Sequence, residues 1–450
     1  SVPNGSGTPT GMVTFYDGTT PIGQVSLNAS GQATLTTNLG MAVHEIFALY
    51  ASDTKFAASS AQIEQIVGPT LQFSSATFSA GENAGHVDVQ VTLAGSSSTP
   101  VTVDYITRDF GDQDCSVNNG FASLKCDYQT TSGQLIFNPG EGSKTISISL
   151  VDDAYAEGNE TFNVVLSNPS GASLNLPSTA IVIITDNDPV NGTNPIDQAG
   201  FFVRQHYLDF LNREPDTDGF NFWTDQINSC GSDAQCIEIK RINVSAAFFL
   251  SIEFQETGYL VYRIHKAAFG TQGQPVPIMF GRFLIDTQQV QKDVRVGIGN
   301  WQAQLEANKQ AYALAFVQQN VFLNSYPSNL SANQVVAIMD TNAGGVLSQT
   351  EFDNLVAILG ATPNDVTKRA QVLRAIAEDE DLKSRDFNRA FVLMQYFGYL
   401  RRNPNDLPDG DFSGFNFWLG KLNQFNGNFI NADMVKSFLI SGEYRHRFGP

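Results

Sequence analysis

Lys144-Thr145-Ile146-Ser147-Ile148-Ser149-Leu150, running directly into Val151-Asp152-Asp153-Ala154-Tyr155-Ala156-Glu157-Gly158-Asn159-Glu160-Thr161-Phe162, is the stretch on which the reading of this chain turns. The first seven residues alternate polar and apolar, the period of a strand with one buried face. The residues that follow break the alternation with carboxylates, glycine and asparagine, as a loop does, before a second apolar run begins. The same period two recurs in Val87-Asp88-Val89-Gln90-Val91-Thr92-Leu93. Residues up to Asp188 therefore read as all-β. After Ile196 the apolar residues recur at helical spacing in Phe201 to Leu211, Ile237 to Leu250, Trp301 to Leu323, Val366 to Ala377 and Phe387 to Leu400.

Charge separates the two halves as well. The 450 residues carry a formal charge of -19, of which -14 lies in residues 1–188 and -5 in the remainder. An acidic front half repels phosphate backbones and anionic lipid, which argues against nucleic acid and membrane surfaces as partners, and it attracts divalent cations. No stretch reaches the ~20 apolar residues of a transmembrane segment, and no signal peptide opens the sequence. The four cysteines form two close pairs, Cys115 with Cys126 and Cys230 with Cys236, in loop-like surroundings without zinc-site spacing. They predict two local disulfides and hence an oxidising, extracellular compartment.

At the front, Thr8 to Val67 carries strand-like runs at Met12 to Tyr16, Ile22 to Leu27, Gln32 to Thr37, Glu45 to Tyr50 and Ala61 to Val67. Gly11, Val13-Thr14-Phe15-Tyr16-Asp17-Gly18, Gly31, Ala33-Thr34-Leu35, His44 and Ala48-Leu49-Tyr50 resemble a bacterial Ig-like repeat module. A seven-strand sandwich takes roughly 100 residues, so the expectation is a first sandwich lacking its opening strands.

Residues 68–188 resemble a Calx-beta domain. The likeness rests on Phe78-Ser79-Ala80-Gly81-Glu82, the acidic loop quoted above, Leu166-Ser167-Asn168-Pro169 and Thr185-Asp186-Asn187-Asp188. It implies a sandwich that binds calcium at one end, with Glu82, Asp109, Asp152, Asp153 and Asp188 as ligands. Pro189 to Pro195 reads as a linker.

The helical part, residues 196–450, contains a duplication. Phe202-Val203-Arg204-Gln205-His206-Tyr207-Leu208-Asp209-Phe210-Leu211-Asn212-Arg213-Glu214-Pro215 lines up with the stretch from Phe391 to Pro404, and each copy proceeds to Gly-Phe-Asn-Phe-Trp, at Gly219 to Trp223 and Gly414 to Trp418. A third, worn copy is suggested at Ala315-Phe316-Val317. Tyr207, Leu211, Arg213, Pro215, Asp216, Gly219 and Trp223 resemble a family of bacterial domains known as domain of unknown function 4214; the second copy departs by an insertion between Pro404 and Gly414. The resemblance brings no activity with it. Asp218 is expected to cap the helix of the first copy, because Ser413 replaces it in the second. Phe220, Phe222 and Trp223 are expected in a core between helices.

A second candidate cation site is Asp340-Thr341-Asn342-Ala343-Gly344-Gly345-Val346-Leu347-Ser348-Gln349-Thr350-Glu351. Its spacing resembles an EF-hand loop, with Asp340, Asn342, Ser348 and Glu351 as calcium ligands. For catalysis no motif assembles: the five histidines are scattered, and there is no nucleophile elbow, zinc helix or phosphate loop.

Two all-β Ig-like sandwiches, the first unfinished, followed by an all-α repeat domain, point to a secreted, non-enzymatic structural subunit. Such a subunit would self-associate into a filament or surface layer by completing the open sandwich, with calcium as its cofactor. A calcium-dependent surface adhesin that binds glycan or protein is the alternative.

Overall fold

The computed structural model describes residues 7–40, 42–111, 114–188 and 192–450. The front module is a four-stranded antiparallel sheet, β1 Met12–Asp17, β2 Thr20–Ser26, β3 Ala42–Tyr50 and β4 Ser59–Val67, in the order β2-β1-β3-β4. The run Gln32 to Thr37 does not join the ladder. Instead Leu35 lies on Gly23 of β2, where any Cβ would come within 2.6 Å of the leucine. Val13, Phe15, Phe47 and Leu49 are only half-buried. Among the described residues this module is one sheet without a facing second sheet, and β4 is one of its edges.

The second module is a true sandwich. One sheet holds β5 Thr70–Phe73, β7 His86–Ala94, β10 Ser143–Ser149 and β12 Ser173–Leu174; the other holds β6 Thr77–Gly81, β8 Val101–Arg108, β9 Ser132–Phe137, β11 Glu160–Ser170 and β13 Thr179–Thr185. The alternating residues seen in the sequence, among them Val87, Val89, Val91, Ile146 and Ile148, are the buried face. Tyr128 stacks on Phe162 in this core at 3.9 Å between ring centres. Both disulfides are formed, with Cα–Cα distances of 5.8 Å for Cys115–Cys126 and 5.6 Å for Cys230–Cys236.

From Ala199 onward the chain is helical, and the duplication in sequence is a duplication in space. Tyr207, in the helix Ala199–Leu211, lies beneath the guanidinium of Arg213, which pairs through two nitrogens with Glu253 at 2.7 and 2.9 Å. In the second copy Tyr396 lies beneath Arg402, which pairs with Glu443. Both glycines of the shared motif are required by contact: a Cβ on Gly219 would sit 2.2 Å from the Tyr207 hydroxyl, and one on Gly414 2.7 Å from that of Tyr396. Across the insertion Asp409 replaces Asp216 as the carboxylate beside the arginine.

Several sequence expectations change at this level. Asp216, not Asp218, is the cap, accepting from the Gly219 amide at 2.8 Å; Asp218 lies inside the first turn, where its negative charge complements the positive helix end. Phe222 is exposed, whereas Phe220 and Trp223 pack on the core. Ala315-Phe316 ends the helix Trp301–Phe316 rather than starting one, so it is not a third copy. Of the expected linker, Pro189 to Asn191 lies outside the described residues. Its second half is docked: the buried Asn194 donates to the carbonyls of Arg445 and Gly449 at 2.8 and 3.0 Å. Among the described residues no helix is long and apolar enough to cross a membrane.

Candidate metal centre at the sandwich end

Strand pairing gathers the acidic loops at one end of the second module. Parallel pairing of β6 with β13 sets Gly81 beside Thr185, so Glu82 and the Asp186–Asp188 turn emerge together. Antiparallel pairing of β13 with β11 places Glu160 opposite Ile184. The β10–β11 loop brings Asp152, Asp153 and Glu157, and its Val151 amide bonds the carbonyl of Asp127 at 2.9 Å, which draws in the β8–β9 connection.

Two sets of carboxylates converge there: Glu82, Asp153 and Asp188, and Asp127, Asp153 and Glu157, each with one oxygen within 4.8 Å of the others. Glu82, Asp127, Asp153, Glu157 and Glu160 are only 5–8% exposed. The charges acting most strongly on them are other carboxylates. Burial, with that mutual repulsion, pushes Glu82 up to about 8, Glu157 to about 9 and Asp153 to about 10. Asp127 and Glu160 are both raised by burial and share a hydrogen bond. Backbone amides satisfy only part of the set: Asp153 N donates to Glu82 Oε1 at 2.8 Å, Tyr155 N to Asp153 Oδ1 at 2.7 Å and Ser123 N to Asp127 Oδ2 at 2.6 Å. Asp152 Oδ1, Asp153 Oδ2 and Asp188 Oδ2 are buried with no hydrogen-bond partner.

Buried, unpartnered carboxylate oxygens in a like-charged cluster are the donor set of a hard cation, which takes six to eight oxygens. A proton on each carboxyl is the other way to relieve the repulsion, and the raised pKa values describe that state. The residues present therefore fit calcium.

Four of the five ligands expected in this module lie in the cluster: Glu82, Asp153 and Asp188 meet directly, and the charge of Asp152 acts on both Glu82 and Asp188. Asp109 lies to the side, accepting from the Leu124 amide at 3.5 Å and acting on Asp127 by charge. Reasoning from the sequence missed Asp127, Glu157 and Glu160. Glu157 and Glu160 stand inside the quoted acidic loop, and Asp127 directly follows the disulfide Cys126.

The EF-hand expectation is corrected. Asp340 and Asn342 belong to the helix Ala332–Ala343, and residues two apart on a helix point roughly 200° from each other. Asp340 Oδ1 accepts from the amides of Val346 and Leu347 at 2.9 and 3.0 Å, while Asn342 donates away from it to the Ala268 carbonyl at 2.8 Å. Ser348 and Glu351 form a capping box at the start of the helix Gln349–Leu359. The stretch is a capped helix corner, and these four side chains do not converge on an ion.

Residues 67–188 match the family model described as the Calx-beta domain. Residues 1–68 match the bacterial Ig-like domain (group 3), and residues 191–257 match the domain of unknown function 4214. In the Calx-beta region the chain is 34% identical over 135 residues to sodium/calcium exchanger 1 of Mus musculus and 34% identical over 119 residues to the sodium/calcium exchanger Calx of Drosophila melanogaster. It is 39% identical over 95 residues to adhesion G-protein coupled receptor V1 of Danio rerio. These matches cover 26%, 26% and 21% of this chain and 13%, 12% and 1% of the relatives, so the chain spans a small part of each. A solved apo-form Calx CBD1 domain is 31% identical, covering 27% of this chain and 100% of its own, with a TM-score of 0.24.

The Calx-beta module is fastened to the helical part at the same end. Arg204 donates to the carbonyls of Gly85 and Leu150 at 3.0 and 2.9 Å, Arg447 donates to that of Lys125 at 2.7 Å, and the Tyr155 hydroxyl bonds His446 at 2.7 Å. Arg447 is itself fixed by both oxygens of the buried Asp209, at 2.9 and 3.0 Å. The loops that carry the carboxylates thus also carry the joint.

Proposed function

We propose that this chain is a calcium-loaded, non-enzymatic structural subunit, secreted or held at a cell surface, that self-associates into a filament or surface layer. The observation that carries the reading is the buried carboxylate cluster with three unpartnered oxygens at the joint between sandwich and helices. Glu82, Asp152, Asp153 and Asp188 would hold one ion, and Asp127, Asp153, Glu157 and Glu160 a second. Bound calcium supplies positive charge in place of protons. The chain's own residues do the rest: Tyr155, Leu150 and Gly85 transmit the order of the acidic loops to His446 and Arg204. The likeness to sodium/calcium exchangers in this module supports calcium as the ion. The two disulfides support an oxidising compartment.

Self-association is supported by the front sheet. Its nine-residue edge strand β4 exposes Ile63 at 65%, and its apolar residues are half-covered. An exposed edge of that length is a template for pairing with another chain. Negative-stain microscopy of native material, with and without chelator, tests this: ordered assemblies that loosen on chelation are expected, and monodisperse particles under every condition would sink the proposal.

A further inference from the structure

We infer that the cleft between the outer face of the Calx-beta module and the helical part is a binding site for an acidic oligosaccharide. The cleft has a volume of about 1030 Å³ and runs beneath β8 and β9 on one side and residues 285–315 on the other. Its lining carries four cationic side chains against two carboxylates, in a chain whose formal charge is -19. Among the described residues Arg108, Lys292 and Arg295 have no carboxylate within ion-pair distance, unlike Arg213, the fourth cation, which Glu253 holds. Three unneutralised cations in one concavity of an acidic molecule focus positive potential there and select an anion.

The rest of the lining specifies the kind of anion. Eight of the lining residues are asparagine or glutamine. A carboxamide offers a donor and an acceptor on one small group, which matches the neighbouring hydroxyls of a sugar ring. Asn212, Gln288, Gln291 and Asn308 spend both amide groups on protein partners, and Gln304 spends its nitrogen. Gln289 and the carbonyl oxygen of Gln304 thus face the cleft with no hydrogen-bond partner among the described residues, beside Gln134 and Asn168, which donate to the two oxygens of Asp104 at 2.9 and 3.0 Å. Those bonds fix both amides, whose carbonyl oxygens remain free to accept. Tyr105 lines the cleft over Gly133, where a Cβ would stand 2.8 Å from the tyrosine hydroxyl. Unpaired cations beside these amides and the Tyr105 ring suit a hydroxyl-rich chain bearing carboxylate or sulfate. Neither the metal centre nor self-association enters this inference.

The test is titration calorimetry of the whole chain, in calcium-containing buffer, with three acidic probes, tetragalacturonate, a hyaluronan hexasaccharide and a heparin hexasaccharide, and with neutral maltohexaose. At least one acidic probe is expected to bind measurably at about 1 mM, with affinity that falls as salt is added. The double variant R108E/R295E is expected to lose about tenfold or more, while K421E, at a residue outside the cleft lining, keeps wild-type binding. Circular dichroism of both variants checks that they are folded. Binding of none of the acidic probes, equal binding of maltohexaose, or acidic-probe binding unchanged in folded R108E/R295E would each overturn the inference.

Discussion

Calcium-stripped protein is expected to lose stability as pH rises, opposite to the usual behaviour of proteins held by ion-paired carboxylates. The sign follows from the direction of the shifts. Glu82 is raised from 4.5 to about 8, so the folded state keeps a proton that the unfolded chain gives up. Its contribution is fully present below pH 4.5 and is lost as pH climbs through about 8. That interval is worth on the order of 5 kcal/mol by linkage. Asp153 and Glu157, raised to about 10 and about 9, act in the same direction, although mutual repulsion keeps the three from adding. Calcium at about a hundredfold its dissociation constant returns roughly 2.7 kcal/mol, which in a domain of this size moves the melting temperature by about 10 °C. Scanning calorimetry of calcium-stripped and calcium-supplied protein, at about pH 5 and about pH 8, reads both effects, and hydrogen exchange at residues 150–160 localises them. Stripped protein as stable at the higher pH as at the lower, or no response to calcium at the higher pH, would refute the reasoning.

Arg213→Ala leaves Glu253 buried without its partner and is expected to cost about 3–5 kcal/mol in denaturant unfolding, and Arg402→Ala is expected to cost less, because solvent reaches the Glu443 it leaves behind. Gly398→Ala drives a methyl to within 2.5 Å of the Phe210 ring and is expected to cost about 1–3 kcal/mol, measured the same way. The double substitution Cys115→Ser/Cys126→Ser frees the connection that ends in Asp127; about 3 kcal/mol of local stability and part of the calcium affinity are expected to go with it, read by hydrogen exchange and calorimetry.

What could be read from the sequence was set by range. The alternation in Val87 to Leu93 and Lys144 to Leu150 defines buried strand faces within seven residues, and the structure confirms those faces. Glu82, Asp153 and Asp188 came from a resemblance that already encodes a sandwich end. Asp127 and Glu160 needed the register of β11 and β13 and the bond from Val151 to Asp127, which link residues far apart in the chain. Asp340 to Glu351 was misread because Asp, Gly, Ser and Glu at that spacing serve two purposes: wrapping an ion, or ending one helix and capping the next. Only the helical phase of Asn342, turned toward Ala268, separates them. Asp216 and Asp218 differ by two positions, and a sequence cannot place a helix start that finely. The exposure of Phe222 depends on which neighbours arrive, which the motif does not encode.

Calcium titration of the stripped chain, set beside Asp153→Asn, bears most directly on the account, because Asp153 belongs to both carboxylate sets. Saturable binding by the native chain is expected, weakened about tenfold or more in Asp153→Asn. The metal-free variant should at the same time be more stable than metal-free native protein above neutral pH, having lost one repelling carboxylate. Absence of calcium binding by the native chain, or equal affinity in the variant, would contradict it.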